Sequence, residues 1–225
     1  MTKLDRPKGL DRHGIARRAA RDVPDGSFVN LGIGVPTLIA NHIPAGREVF
    51  LHSENGIIGV GPAPPKGQED WDVIDAGKAP ITILPGASIF DSALSFSVMR
   101  GGHLDIAALG AFQVSGEGDL ANWSTGEGGL PAVGGAMDLA CGAKAIWVLM
   151  DHVTKEGAPR IVRRCTYPLT APRVVKRIYT DLAVIDVTGE GLLVREIVAG
   201  LDLADLQALT DAPLRAETGL ELLAA

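Results

Sequence analysis

The segment Val49-Phe50-Leu51-His52-Ser53-Glu54-Asn55-Gly56-Ile57-Ile58-Gly59 places a carboxylate where it could do chemistry. An apolar, strand-like run stops at Ser-Glu-Asn-Gly, a turn sequence, and apolar residues then resume. Glu54 is therefore expected at a strand end, held by a turn and flanked by apolar neighbours. Such surroundings weaken a carboxylate's solvation and make it a stronger nucleophile or base. Strand ends in α/β sheets are also where ligands bind. The same side chain could instead cap its turn or pair with an arginine, and the residues alone leave both readings open.

Other segments carry weaker signals. Asn30-Leu31-Gly32-Ile33-Gly34-Val35-Pro36-Thr37 runs from a strand through Gly-x-Gly towards a helix, but lacks the third glycine of a dinucleotide fingerprint. It is either a tight turn or a place where backbone N–H groups meet an anion. Gly134-Gly135-Ala136-Met137-Asp138-Leu139 opens another helix behind two glycines, and small residues let a bulky ligand lie against backbone. Glu117 and Asp119 sit among glycines and are expected in a solvated loop. His103 has no acidic partner or serine nucleophile near it in sequence. Arg160, Arg163, Arg164, Arg173, Lys176 and Arg177 form the basic cluster, expected on the solvated surface.

The elements that would position these groups alternate. Residues 10–22 repeat apolar positions at helical spacing behind Asp11 as N-cap. Residues 27–31 and 48–52 read as strands with a helix over 36–42 between them. Further apolar runs lie at 81–84, 106–109, 146–150 and 182–187, then a last strand at 193–197 and a helix near 203–209. Residues 59–67 and 116–135 lack regular pattern, and loops of that length are usually functional. This alternation predicts one α/β domain over residues 1–225, with a central, mostly parallel sheet covered by helices on both faces.

Composition narrows the function. The net charge is −6, which argues against a nucleic-acid partner. The two cysteines show no Cys-x-x-Cys and no histidine at ligand spacing, so no metal site is expected. The N-terminus carries no apolar signal-peptide core, and no run approaches 18 apolar residues, so a cytoplasmic protein without membrane spans is expected.

Ser53-Glu54-Asn55-Gly56, joined to Gly59-Val60-Gly61-Pro62, resembles the active-site signature of class I CoA transferase β subunits. Asn30–Gly34, Asp75-Ala76-Gly77-Lys78, Leu84-Pro85-Gly86-Ala87-Ser88, Met99-Arg100-Gly101-Gly102-His103, Gly118-Asp119-Leu120-Ala121-Asn122-Trp123, Gly134–Leu139 and Tyr179-Thr180-Asp181-Leu182-Ala183-Val184 resemble that family in the same order. The likeness covers roughly residues 14–209.

The resemblance implies ping-pong transfer from succinyl-CoA to a 3-oxo acid through a glutamyl-CoA thioester on Glu54. Asn30, Gly134 and Gly135 would contact CoA or substrate, and Asn55 and Gly56 would shape the turn that presents Glu54 and stand with them as binding residues. CoA would be a substrate, with no further cofactor. A separate α subunit is implied, as an αβ pair or α2β2, with the isolated β chain inactive. Ser124–Val133, with Asp151-His152-Val153-Thr154-Lys155 and Cys165–Thr170, is most similar to the forms acting on 3-oxoadipate. Transfer to acetoacetate or another short-chain acid, acyl-CoA hydrolysis on the same scaffold, and non-catalytic ligand binding are the alternatives.

Overall fold

The first helix, α1 (Arg12–Asp22), shows how local sequence sets the frame. Asp11 caps it, accepting a hydrogen bond from Gly14 N at 2.7 Å, a contact worth about 1 kcal/mol. Ile15, Ala16, Ala19 and Ala20 make its buried stripe, and Pro24 follows its end and stops propagation. Strand β1 (Ser27–Leu31) comes next, then a 3₁₀ helix (Val35–Asn41), then β2 (Val49–Ser53). A helix was expected over this connection, and its 3₁₀ form suits a short segment with β-branched Val35, Thr37 and Ile39, which crowd an α-helical turn.

The computed structural model describes residues 8–126 and 133–224; positions 127–132 of the glycine-rich stretch lie outside them. Beyond β2 come β3 (Ile57–Val60), β4 (Ile83–Ile89), α2 (Ser92–Arg100), β5 (Ile106–Leu109), β6 (Gln113–Ser115), β7 (Leu120–Ala121), α3 (Ala136–Gly142) and β8 (Ala145–Leu149). The chain finishes with β9 (Ile161–Val162), β10 (Val175–Tyr179), β11 (Ala183–Thr188), β12 (Gly191–Val198), α4 (Leu203–Ala208) and β13 (Leu214–Leu223).

Ten strands form one sheet in the order β13-β12-β11-β10-β8-β5-β1-β2-β3-β4, and β7-β6-β9 make a small second sheet. From β10 to β2 the five central strands are parallel. Antiparallel pairs lie outside them on both sides. The centre is therefore built from strands apolar along their whole length, such as β5, in which every residue is buried. The chain moves from β1 to β2 in one direction and from β5 to β8 in the other. Right-handed crossovers then put the 3₁₀ helix and α3 on opposite faces, with α1 packed on the former and α2 on the latter. The expected α/β sheet with helical cover is what the chain forms. Among the described residues no helix is long and apolar enough to cross a membrane.

Three expectations differ in detail. The run expected at 81–84 belongs to β4, which starts at Ile83, and β4 is a largely exposed edge strand. The strand expected as the last is followed by α4 and then by β13, which pairs with β12. The basic cluster is not one solvated patch. Arg177 is half-buried between Asp22, at 2.9 Å, and Asp186. Arg18 joins Asp22 to the buried Glu196, so one ionic network ties α1 to β10, β11 and β12.

Candidate active site

Reversal of strand order beside β1 opens a crevice at the carboxyl ends of β1, β2, β5 and β8, where doubly wound sheets bind ligands. A cleft of about 500 Å³ occupies it. Its walls include Asn30, Gly32–Gly34 after β1, Glu54 after β2, Gly110–Phe112 after β5, Gly134 and Gly135 before α3, and Met150 and Asp151 after β8.

Glu54 follows the last residue of β2. Gly56 N donates to Ser53 O at 3.0 Å and closes the turn, and Phe90 N donates to Gly56 O at 2.9 Å. Gly56 has φ +112°, and a Cβ there would press on the Phe90 carbonyl, so the turn takes glycine for both reasons. Asn55 points away from the cleft and donates to Ile74 O at 2.8 Å. Ser53 Oγ accepts from Ala76 N at 2.9 Å. Asn55 and Gly56 thus shape the turn and do not line the cleft, whereas Asn30, Gly134 and Gly135 line it together with Glu54.

The Glu54 side chain is half-buried. Burial raises its pKa above the usual glutamate range, and the nearby Asp138 carboxylate adds to the effect. Asp138 is itself held by Arg100 at 2.6 Å, an ion pair joining α3 to α2. Gly135 abuts the carboxylate so closely that a Cβ built there would sit 2.9 Å from Glu54 Cδ. Glycine at 135 therefore makes the room in which the glutamate lies.

Behind Glu54 runs a buried hydrogen-bond chain that the sequence did not reveal. Asn30 Nδ2 donates to His52 O at 3.2 Å and lies 2.9 Å from His52 Nδ1. Because that amide group is a donor, Nδ1 accepts and the proton of His52 sits on Nε2. Nε2 then donates to Ser95 Oγ at 3.0 Å, and Ser95 Oγ donates to the Glu54 carbonyl at 2.7 Å. His52 is 2 % exposed and Ser95 fully buried. Burial lowers the His52 pKa to about 4, which keeps the ring neutral. A satisfied buried network of this kind fixes one geometry, here that of the backbone carrying Glu54. His52 stands next to the signature and could have drawn notice, but Ser95 lies in an unremarkable serine-rich helix.

The remaining candidates are elsewhere. Asp119 accepts from Ser115 Oγ at 2.9 Å and from Arg173 N at 3.0 Å, and Glu117 pairs loosely with Arg173 at 3.5 Å. They serve the turn after β6, away from the cleft. Arg160, by contrast, lines the cleft.

The coenzyme A transferase profile matches residues 13–207, nearly the whole sheet and every wall of this cleft. The chain belongs to the coenzyme A transferase family. Two relatives, each named as the β-type subunit of a 3-oxoadipate CoA-transferase, are from Pseudomonas putida and Acinetobacter baylyi. The first is 60% identical over 92% of this chain and 97% of its own. The second is 57% identical over 91% and 95%. An acyl-CoA transferase apoenzyme structure from Escherichia coli O157:H7 superposes with a TM-score of 0.74 at 22% identity. That match covers 95% of this chain and 44% of the longer one, and speaks for the fold. The resemblance drawn from the Ser53–Gly56 signature is thus borne out at the level of family and subunit type: this is a CoA transferase chain of the β kind.

Proposed function

We propose that this β chain, joined to a separate α subunit, moves CoA from succinyl-CoA to 3-oxoadipate through a covalent glutamyl-CoA thioester on Glu54. The observation that carries the reading is Glu54 itself: a half-buried carboxylate at a strand end, with a raised proton affinity, confined by Gly135 at the floor of an open cleft. Substrate choice rests on the names of the two relatives. The α subunit rests on those names too, and on the apolar residues left exposed around the cleft mouth and β4, among them Ile33 at 70 % and Ile89 at 69 %.

In the first step a Glu54 carboxylate oxygen attacks the thioester carbonyl of succinyl-CoA. The C–S bond breaks, giving a mixed anhydride and CoA thiolate. The thiolate then attacks the Glu54 carbonyl carbon, the anhydride C–O bond breaks, succinate leaves and CoA stays on the enzyme as a thioester. The acceptor carboxylate runs the same two steps in reverse. A glutamate is ionised at neutral pH without a base, since its ordinary pKa is near ~4.3. Desolvation strengthens it as a nucleophile. Asn30, Gly134 and Gly135 border the reacting carbons, the glycines leaving room for the thioester against backbone. CoA is a substrate here, and the scheme uses no other cofactor.

The test is the intact mass of the β chain in the αβ complex after adding succinyl-CoA. A CoA-sized increase, absent in Glu54→Ala, is expected, followed by its discharge on adding 3-oxoadipate. A complex that binds succinyl-CoA yet shows no adduct overturns the covalent scheme. An adduct discharged by acetoacetate but not by 3-oxoadipate overturns the choice of acceptor, and discharge by water alone marks a hydrolase.

A further inference from the structure

We propose that Arg160 is the cation that receives the far carboxylate of a dicarboxylic acyl substrate, a specificity role that rests on the transfer reaction proposed for this cleft. Four charged side chains line the cleft: Arg12, Glu54, Asp151 and Arg160. Arg12 and Asp151 are exposed at its edge, whereas Glu54 and Arg160 are half-buried.

What separates Arg160 from the other arginines of its stretch is its pairing. Arg163 faces Asp211 at 3.9 Å, Arg173 faces Glu117 at 3.5 Å, and Arg177 is held by Asp22 at 2.9 Å. Arg160 has no carboxylate partner among the described residues. Its Nε is buried without any hydrogen-bond partner there. Its Nη1 makes one long contact, 3.4 Å, to Ala111 O. A guanidinium presents five N–H donors in a rigid fork that matches a carboxylate with two parallel bonds. Most of that fork is unspent, and it borders the cleft that holds the nucleophile.

The backbone that carries this side chain is fixed. Arg160 N donates to His152 O at 3.2 Å, and Arg160 O accepts from Val114 N at 2.9 Å, immediately before β9. The guanidinium is seated beside Ala111, just past the end of β5, while Glu54 stands just past the end of β2. Strand β1 lies between them, so the two carrying strands are about 10 Å apart, twice the usual spacing. Two side chains lining one cleft shorten that span, leaving an interval for a short diacid: one end joined to Glu54 as the anhydride, the free carboxylate on Arg160. Succinate and 3-oxoadipate share that second carboxylate, whereas acetoacetate and butyrate lack it. One cation thus serves donor and acceptor alike.

The experiment compares the αβ complex and its Arg160→Met and Arg160→Lys variants with succinyl-CoA and butyryl-CoA as donors, reading adduct formation on the β chain. The expected result is a fall of about 100-fold in the ratio of kcat/KM for succinyl-CoA over butyryl-CoA in Arg160→Met, since a site built to bind a polar group discriminates strongly by it. Arg160→Lys is expected to restore part of the ratio, supplying charge without the fork. Butyryl-CoA adduct formation in Arg160→Met shows that the variant is folded and its chemistry intact. An equal loss with both donors would overturn the proposal, because Arg160 would then serve CoA or the fold. An unchanged ratio would overturn it as well. Absence of any adduct in the parent complex would instead be a failure of the Glu54 scheme.

Discussion

Replacing Gly135 by alanine tests the active-site geometry with a single methyl group. Gly135 has φ −79° and ψ 0°, a conformation any residue can adopt, so alanine brings no backbone strain. Its Cβ would stand 2.9 Å from Glu54 Cδ, whereas carbon atoms rest at about 3.5–4.0 Å. The carboxyl carbon must therefore retreat by about 0.6–1.1 Å. Misplacement of a reacting group by about 1 Å can cost on the order of 100-fold in rate, about 2.7 kcal/mol of barrier. Stability should scarcely change: alanine stabilises by about 0.4–1 kcal/mol through the unfolded chain and loses a similar amount as an N-cap of α3. Gly135→Ala is thus expected to melt with the parent and transfer CoA about 100-fold more slowly. The assay is steady-state CoA transfer by the αβ complex, with a thermal melt of the same preparation. An unchanged melt with kcat within about threefold of the parent would refute the reasoning, because the carboxylate would not then be confined where the structure places it.

Three further outcomes follow from the same contacts. Glu54→Gln should abolish transfer yet melt higher than the parent at neutral pH. The fold raises the Glu54 pKa, so stability from this group is present below the unfolded value of about 4.3 and lost as pH rises through the folded value. The gap between the two melts should close in acid, and a lower melt for the variant at neutral pH contradicts the desolvation. His52→Gln should flatten the pH dependence of stability between about 6.5 and 4. The folded pKa near 4 means the unfolded chain binds the extra proton there, and stability falls with falling pH by up to about 3 kcal/mol. Urea titrations at pH 7 and pH 4.5 measure the slope, and equal slopes in both proteins would remove His52 as its source. Arg18→Met leaves the buried Glu196 carboxylate unpaired and should cost about 3–5 kcal/mol, largely recovered in Arg18→Met/Glu196→Met; urea unfolding that shows no recovery would point to lost packing instead.

What the sequence disclosed follows the range of the interactions involved. Strand β1 and the Asp11 cap could be read directly because apolar spacing and capping are local. Glu54 could be placed at a strand end because its turn is written in adjacent residues. The role of His52 could not, since it depends on the register that sets Asn30 opposite His52 across two parallel strands and on Ser95 arriving from a later helix. Strand β10 was hidden because Lys176 and Arg177 interrupt its apolar run, Arg177 being neutralised by Asp22 from α1. Strand β13 carries Arg215, Glu217, Gly219 and Glu221, which read as a polar tail until β12 pairs with it. Arg160 looked like its basic neighbours because the acids that neutralise them come from elsewhere in the chain.

The sheet order also governs when the chain becomes reactive. Glu54 and its turn leave the ribosome early, but β5, Asp138 and Gly135, which flank it, are encoded later, and parallel strands whose partners are far apart in sequence come together slowly. Until α3 docks, Glu54 is an ordinary solvated carboxylate with ordinary reactivity. A nascent or partly opened chain is therefore a poor nucleophile towards acyl-CoA, and thioester chemistry switches on only when the β1–β5–β8 core has closed around it.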